Sequence, residues 1–185
     1  MKFDQANEIA GRVKAQLAPY CDRIEIAGSV RRRKADVGDI EVVCVPKTVS
    51  MPDLFGTGAA FRDKDWSLAV VKIGRVEKGD VFKGRYIQIE HPAGIKVDIF
   101  TAHPDNWGLI YAIRTGSADY SHCVLACGWV RNGYKSADGM LWRDGVAVPV
   151  REERDLFRMA GVPWVEPEAR NLHSPNKSPS AKGRE

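Results

Sequence analysis

The chain has 185 residues and a formal charge of +4, with 44% hydrophobic and 28% charged residues. That length can bury a real core, as one domain or two small ones, and the near balance of charge sets aside a disordered polyelectrolyte and a chain whose overall field alone would hold nucleic acid. No run approaches the ~20 apolar residues of a membrane span. Met1-Lys2-Phe3-Asp4 leads into an amphipathic pattern and not a signal peptide.

Residues 4–17 are predicted to form a helix, with Ile9, Val13 and Leu17 on one stripe beside Ala6 and Ala10, Asp4 as N-cap and Pro19 beyond the end. Residues 23–27 form a strand with Ile24 and Ile26 inward. Gly28-Ser29 turns the chain into the basic run Arg31-Arg32-Arg33-Lys34, the local feature that points most directly to nucleic acid. A second strand runs from Asp39 to Pro46. Successive side chains on a strand face opposite ways, so Asp39 and Glu41 share one face while Ile40, Val42 and Cys44 share the other and can meet a core.

The stretch 47–58 is rich in Pro, Gly and Thr and reads as a loop. Residues 61–73 carry a helical pattern with Asp65 as a cap. Residues 86–90 and 95–100 alternate as two strands around the turn His91-Pro92-Ala93-Gly94 and predict a β-hairpin. Its second strand presents Lys96 and Asp98 on one face and Ile95, Val97 and Ile99 on the other. A helix over 105–114 breaks at Thr115-Gly116-Ser117. Ser117 or Asp119 caps another that ends near Gly128. Short strands follow, with turns at Asn132-Gly133, Asp138-Gly139 and Asp144-Gly145, the last a two-residue hairpin between 140–142 and 146–148. Residues 152–159 form a short helix with Leu156 and Phe157 inward. From Asn171 the composition is that of a disordered tail, whose three cations and one anion supply part of the net charge.

The four cysteines, Cys21, Cys44, Cys123 and Cys127, make no close-spaced disulfide framework and predict reduced, buried or partly buried thiols in an intracellular, cytoplasmic setting. His122-Cys123 and Cys127 lack the second pair that a metal site would need. Chemistry gathers elsewhere. Two carboxylates on one rigid strand face suit Mg²⁺, which takes one or two carboxylates together with phosphate oxygens. A glycine turn and an arginine fork beside them can hold those phosphates. If the strand carrying Asp98 lies next to the first, three acids share one surface, where they repel unless a cation sits among them.

The ordered set of motifs resembles the family X (polymerase beta-like) nucleotidyltransferases. It comprises Gly28-Ser29 with Arg31-Arg32, Gly38-Asp39 with Glu41, Val97-Asp98, the segment Glu77 to Gly84, Thr115-Gly116-Ser117, and the stretch from Asp155 to Glu168. Coverage runs from about Phe3 to Arg170. The resemblance implies an α+β fold: a nucleotidyltransferase palm over 1–114, a mixed β-sheet with helices on one side, then a small α/β thumb over 115–170 and a disordered tail over 171–185. The N-terminal lyase domain and fingers of many relatives are not expected here.

The same resemblance implies a monomeric DNA polymerase that adds dNMP from dNTP to a DNA 3′-hydroxyl on primer-template or gapped DNA, in short-gap repair. Asp39, Glu41 and Asp98 would be its catalytic acids and metal ligands, with two Mg²⁺ ions or Mn²⁺. Gly28, Ser29, Arg32 and Gly38 would bind the nucleotide, and Lys96 the primer. Two alternatives stay open: a template-independent or non-DNA nucleotidyltransferase, and a non-catalytic DNA-end-binding module. The chain departs from the family pattern at four places. Glu41 replaces the usual aspartate. Ile113 and Arg114 precede Thr115-Gly116-Ser117 where an aromatic is usual. Ala118 and Ser121 replace polar thumb residues, and Phe100 stands where many relatives have a cation.

Overall fold

The computed structural model describes residues 1–51 and 59–172. Helix α1 (Phe3–Leu17) buries Ala6, Ile9, Ala10, Val13 and Leu17, the expected stripe. It begins a residue earlier than its sequence suggests: Lys2 is the N-cap, without a side-chain cap bond, and Asp4 lies in the first turn, where its charge suits the helix dipole. Strand β1 (Cys21–Ile26) leads to a one-turn helix α2 (Gly28–Arg31) and then to β2 (Asp39–Pro46).

The expected loop after Pro46 contains β3 (Thr48–Met51), which pairs antiparallel with β4 (Ala59–Arg62). The rest of that loop lies outside the described residues. Helix α3 (Lys64–Val71) therefore starts later than predicted, and its cap is Asp63, which accepts from the Asp65 amide, and not Asp65. A further strand, β5 (Arg75–Lys78), precedes the predicted hairpin of β6 (Tyr86–Glu90) and β7 (Lys96–Thr101).

The main sheet has the order β1-β2-β7-β6-β5. β2 and β7 run parallel and the other neighbours antiparallel. One face is dry: Ile40, Val42, Cys44, Ile87, Ile89, Val97 and Ile99 are buried together with Trp66, Ala69 and Val70 of α3 and the α1 stripe. The other face changes character along its length. At the rear, Val43, Val45 and Phe100 pack on Trp107 and Tyr111 of helix α4 (Trp107–Thr115). At the front it carries Asp39, Glu41 and Asp98 and stays open. The sheet is thus covered by α1 and α3 on one face and by α4 over half of the other.

Helix α4 also begins a second core, in which Leu109 and Ala112 join Tyr120, Leu125, Trp129, Leu141, Val150, Leu156, Phe157 and Ala160. Ser117 caps α5 (Ala118–Tyr120) by accepting from the Tyr120 amide. A π-helical stretch, Ser121–Ala126, runs on into α6 (Cys127–Arg131). Three short strands, β8 (Lys135–Ala137), β9 (Met140–Arg143) and β10 (Val146–Val148), form a meander. Both of its turns have positive φ at Asp and Gly, Asp138-Gly139 and Asp144-Gly145, the backbone that a tight two-residue hairpin needs. Helix α7 (Glu153–Ala160) closes the domain and ends on left-handed Gly161.

The expected tail lies outside the described residues from 173 onward. Asn171 and Leu172 are held in place, on Arg32 and Ser117. Cys21 and Cys44 are buried, whereas Cys123 and Cys127 are exposed, against the expectation of buried thiols, because they fall on the outer face of the π-helical and α6 turns. No helix among the described residues is long and apolar enough to cross a membrane.

Candidate active site

The parallel register of β2 and β7 sets Glu41 opposite Asp98 and Asp39 opposite Lys96. All three carboxylates therefore share one sheet face at its open end. Ala27 precedes the one-turn helix and donates its amide to the Glu41 carbonyl, 2.8 Å, which ties the glycine turn to β2. The Ser29 hydroxyl reaches the Asp39 carbonyl at 3.5 Å. Gly28 has φ +62, and a Cβ there would lie 2.1 Å from Glu41 Oε2. The glutamate's extra methylene thus lays its carboxylate over the glycine turn, in space that only glycine leaves free.

Burial and Asp39 together push the Glu41 carboxyl up to about 7, against the opposing pull of Arg114 and Arg32. Burial and Asp98 raise Asp39 as well, while Arg32 and Lys96 hold it down. Lys96 is exposed and its charge reaches Asp39. Asp98 accepts on Oδ1 from the Tyr86 hydroxyl, 3.1 Å, and from Gln88 Nε2, 2.9 Å.

A cleft of about 470 Å³ opens beside the acids. Its palm wall is Arg32, Asp39 and Glu41, and its other wall includes Ile113, Arg114, Ser117 and Trp129. The structure brings Arg32, Asp39 and Glu41 together in this cleft, with Gly28 packed under Glu41 and Asp98 one strand away. A Cβ on Gly38 would meet only open space. Arg114 lies flat over the Phe100 ring, 3.9 Å from its centroid. A cation thus stands beside the acids although Phe100 occupies a position that is basic in many relatives.

The arginine run does different work from a free phosphate-binding patch. Arg31 makes a two-pronged pair with Glu153 of α7, 2.8 and 2.6 Å, donates to Thr115 Oγ1, and stacks on Tyr111. Glu153 also takes Arg170, which is fully buried. Arg32 donates to the Thr115 carbonyl and to Asn171 Oδ1, and Arg33 pairs with Glu168 at the surface. Burial lowers the Arg32 pKa, and Glu41 and Asp39 oppose that. Most of the run therefore fastens the first sheet to the helices after Thr115, and Arg32 does so from within the cleft.

Sequence reasoning missed Tyr86, Gln88 and the Arg31–Glu153–Arg170 network. A signal existed for the first two: they are the polar positions on the alternating face of the strand that hairpins with the Asp98 strand. None existed for the network, whose members are far apart in sequence.

The residues fit a divalent cation by donor chemistry: hard oxygen ligands on one rigid face, with the surplus negative charge that a cation would relieve. Among the described residues no three His, Cys, Asp or Glu side chains are gathered closely enough to hold an ion as they stand.

Residues 111–171 match the DNA polymerase beta thumb family. No curated protein matches the chain in sequence. A crystal structure of Leishmania infantum polymerase beta, described as a ternary P/T complex, superimposes with a TM-score of 0.69, covering 93% of this chain and 77% of that one at 17% identity. A likeness at that identity establishes the fold, and the thumb match covers the second core and the cleft wall it supplies. The chain thus has a polymerase beta-like fold, in which residues 111–171 match the DNA polymerase beta thumb family.

Proposed function

We propose that the chain is a metal-dependent DNA polymerase that transfers dNMP from a dNTP to a DNA 3′-hydroxyl, in short-gap repair synthesis. The observation that carries this reading is the parallel pairing of β2 with β7. It sets Glu41 against Asp98 on the face of Asp39, at the edge of a cleft whose other wall lies in the thumb match. The palm is taken as 1–114, the thumb as 115–170 and the remainder as a tail.

In this reading Asp39, Glu41 and Asp98 hold two Mg²⁺ or Mn²⁺ ions. Bound there, divalent cations would make the 3′-hydroxyl acidic and neutralise charge on the phosphoryl and leaving oxygens. Arg32 and Ser29 bind the triphosphate, with the Gly28 and Gly38 backbones leaving room for its oxygens. Lys96, exposed beside Asp39, takes a primer phosphate. Arg114 and Ile113 face the nucleotide where an aromatic is usual, so discrimination between deoxyribose and ribose is weak. The enzyme works as a monomer on DNA inside the cell.

The test is primer extension on one-nucleotide gapped, recessed and single-stranded DNA, with dNTPs or NTPs, in Mg²⁺ or Mn²⁺, beside Asp98→Ala. Template-directed addition that Asp98→Ala abolishes is the expected result. Addition to single strands alone would make it a terminal transferase. No addition in either metal would overturn the polymerase reading and direct attention to RNA or small-molecule acceptors, or to DNA-end binding.

A further inference from the structure

Strand register sets Gln88 of β6 directly opposite Asp98 of β7. Gln88 is 8% exposed, so its amide is largely shielded from water and its hydrogens need protein partners. Its Nε2 has two hydrogens and two acceptors: Asp98 Oδ1 at 2.9 Å and the Tyr86 hydroxyl at 3.0 Å. The Tyr86 hydroxyl accepts from Gln88 and gives its one hydrogen to the same Asp98 Oδ1, 3.1 Å. The three groups close a triangle in which one Gln88 hydrogen and the Tyr86 hydrogen go to that oxygen and the other Gln88 hydrogen goes to the Tyr86 hydroxyl. Oδ2 of Asp98 has no donor among the described residues.

The hydroxyl is itself fixed from behind. The Tyr86 ring stacks on Phe100, 5.2 Å between centroids at 24°, and Phe100 lies under the Arg114 guanidinium. The stack runs from the last turn of α4, at the cleft, to the third acid. Polar side chains on an open sheet face ordinarily turn to water, and a purely structural pair would have no reason to converge on one carboxylate oxygen.

We infer that Tyr86 and Gln88 are positioning residues for Asp98: by holding Oδ1 together they leave Oδ2 as the oxygen that Asp98 offers to a divalent cation. The inference rests on the reading of Asp98 as a cation ligand given above. A carboxylate free to rotate must be ordered when an ion arrives, whereas one already held presents a single oxygen in a fixed direction. Hydrogen bonds of this kind to a ligating carboxylate are commonly worth tenfold to a hundredfold in metal affinity. The pair acts as one unit, so removing both donors costs little more than removing the more important one.

The experiment is a Mn²⁺ titration followed by electron paramagnetic resonance on the full chain, with parent, Tyr86→Phe, Gln88→Met, the double variant and Asp98→Ala. Tyr86→Phe keeps the stack and Gln88→Met keeps the volume. The metal dependence of primer extension, DNA affinity and thermal melting are measured alongside. The expected result is a Mn²⁺ affinity lower by about tenfold or more in each single variant, a double variant close to the weaker single, and DNA affinity and melting temperature near those of the parent. Affinities within twofold of parent in all three, with Asp98→Ala still abolishing binding, would overturn the inference and leave the proposed function standing. Loss of binding that accompanies loss of the melting transition in both single variants would also overturn it, showing a structural role. A parent that binds no Mn²⁺, or an Asp98→Ala protein that binds as the parent does, would bring down both.

Discussion

Glu41 is the residue whose environment says most about the site. Its carboxyl is pushed up to about 7, first by burial and then by Asp39. An acid whose pKa is higher in the folded than in the unfolded chain binds more protons when folded between the two values. Stability without metal therefore falls as pH rises from about 4.5 to 7, by about 3 kcal/mol from this group at most. Chemical denaturation from pH 4.5 to 8 without divalent ions should show that decline. Glu41→Gln should flatten it, and Mg²⁺ at pH 8 should recover stability in the parent but not in the variant. Gly28 is the companion position. Gly28→Ala puts a side chain at φ +62 and displaces the Glu41 carboxylate. We expect a loss of about 1–2 kcal/mol in urea unfolding and a fall in metal affinity, while Gly38→Ala, which meets open space, costs far less.

Among the elements, the junction of α2, α4 and α7 is the most tightly specified. Glu153 is 7% exposed and serves both Arg31 and Arg170. Glu153→Ala leaves two guanidinium groups without their counter-charge and should cost about 3–5 kcal/mol, read as a lower thermal midpoint. Lys2 and Asp36 form an exposed pair that solvent and salt screen, and Asp36→Ala should leave the thermal midpoint close to that of the parent. The elements themselves were mostly legible. Ile40, Val42 and Cys44 alternate with Asp39 and Glu41, and burial follows that alternation. β3 and β4 were not, because each is four residues long and sits beside a Pro/Gly-rich stretch that reads as loop. The cap of α3 was misplaced for the same reason: Asp63 and Asp65 are both plausible until β4 fixes where the helix begins. The basic run from Arg31 to Lys34 read as a nucleic-acid feature because the partner of Arg31 lies in α7, and no local pattern reports a contact between such distant segments.

For the whole molecule, fastening the basic run to the thumb changes what its charge can do for DNA. Four free cations on phosphates would give a slope of about −3.6 in log K against log salt. With Arg31 partly buried and paired with Glu153 and Arg33 paired with Glu168, the run should contribute a clearly shallower slope, measurable by anisotropy titrations between 50 and 200 mM salt. Charge lost by Arg33→Ala should hardly alter that slope, whereas Lys96→Ala should reduce it by about one.

The parallel pairing of β2 with β7 also bears on how the protein comes into being. Every other neighbour in the main sheet is antiparallel, and β5, β6 and β7 follow one another closely along the chain. β1 and β2 can likewise meet early. The β2–β7 seam joins strands separated by all the intervening residues, the kind of non-local closure that slows folding. Asp98 is a stranger to Asp39 and Glu41 until that seam zips. A chain emerging from the ribosome holds β2 with one edge unpaired until β7 has been made, and the face that gathers the three acids is completed only then.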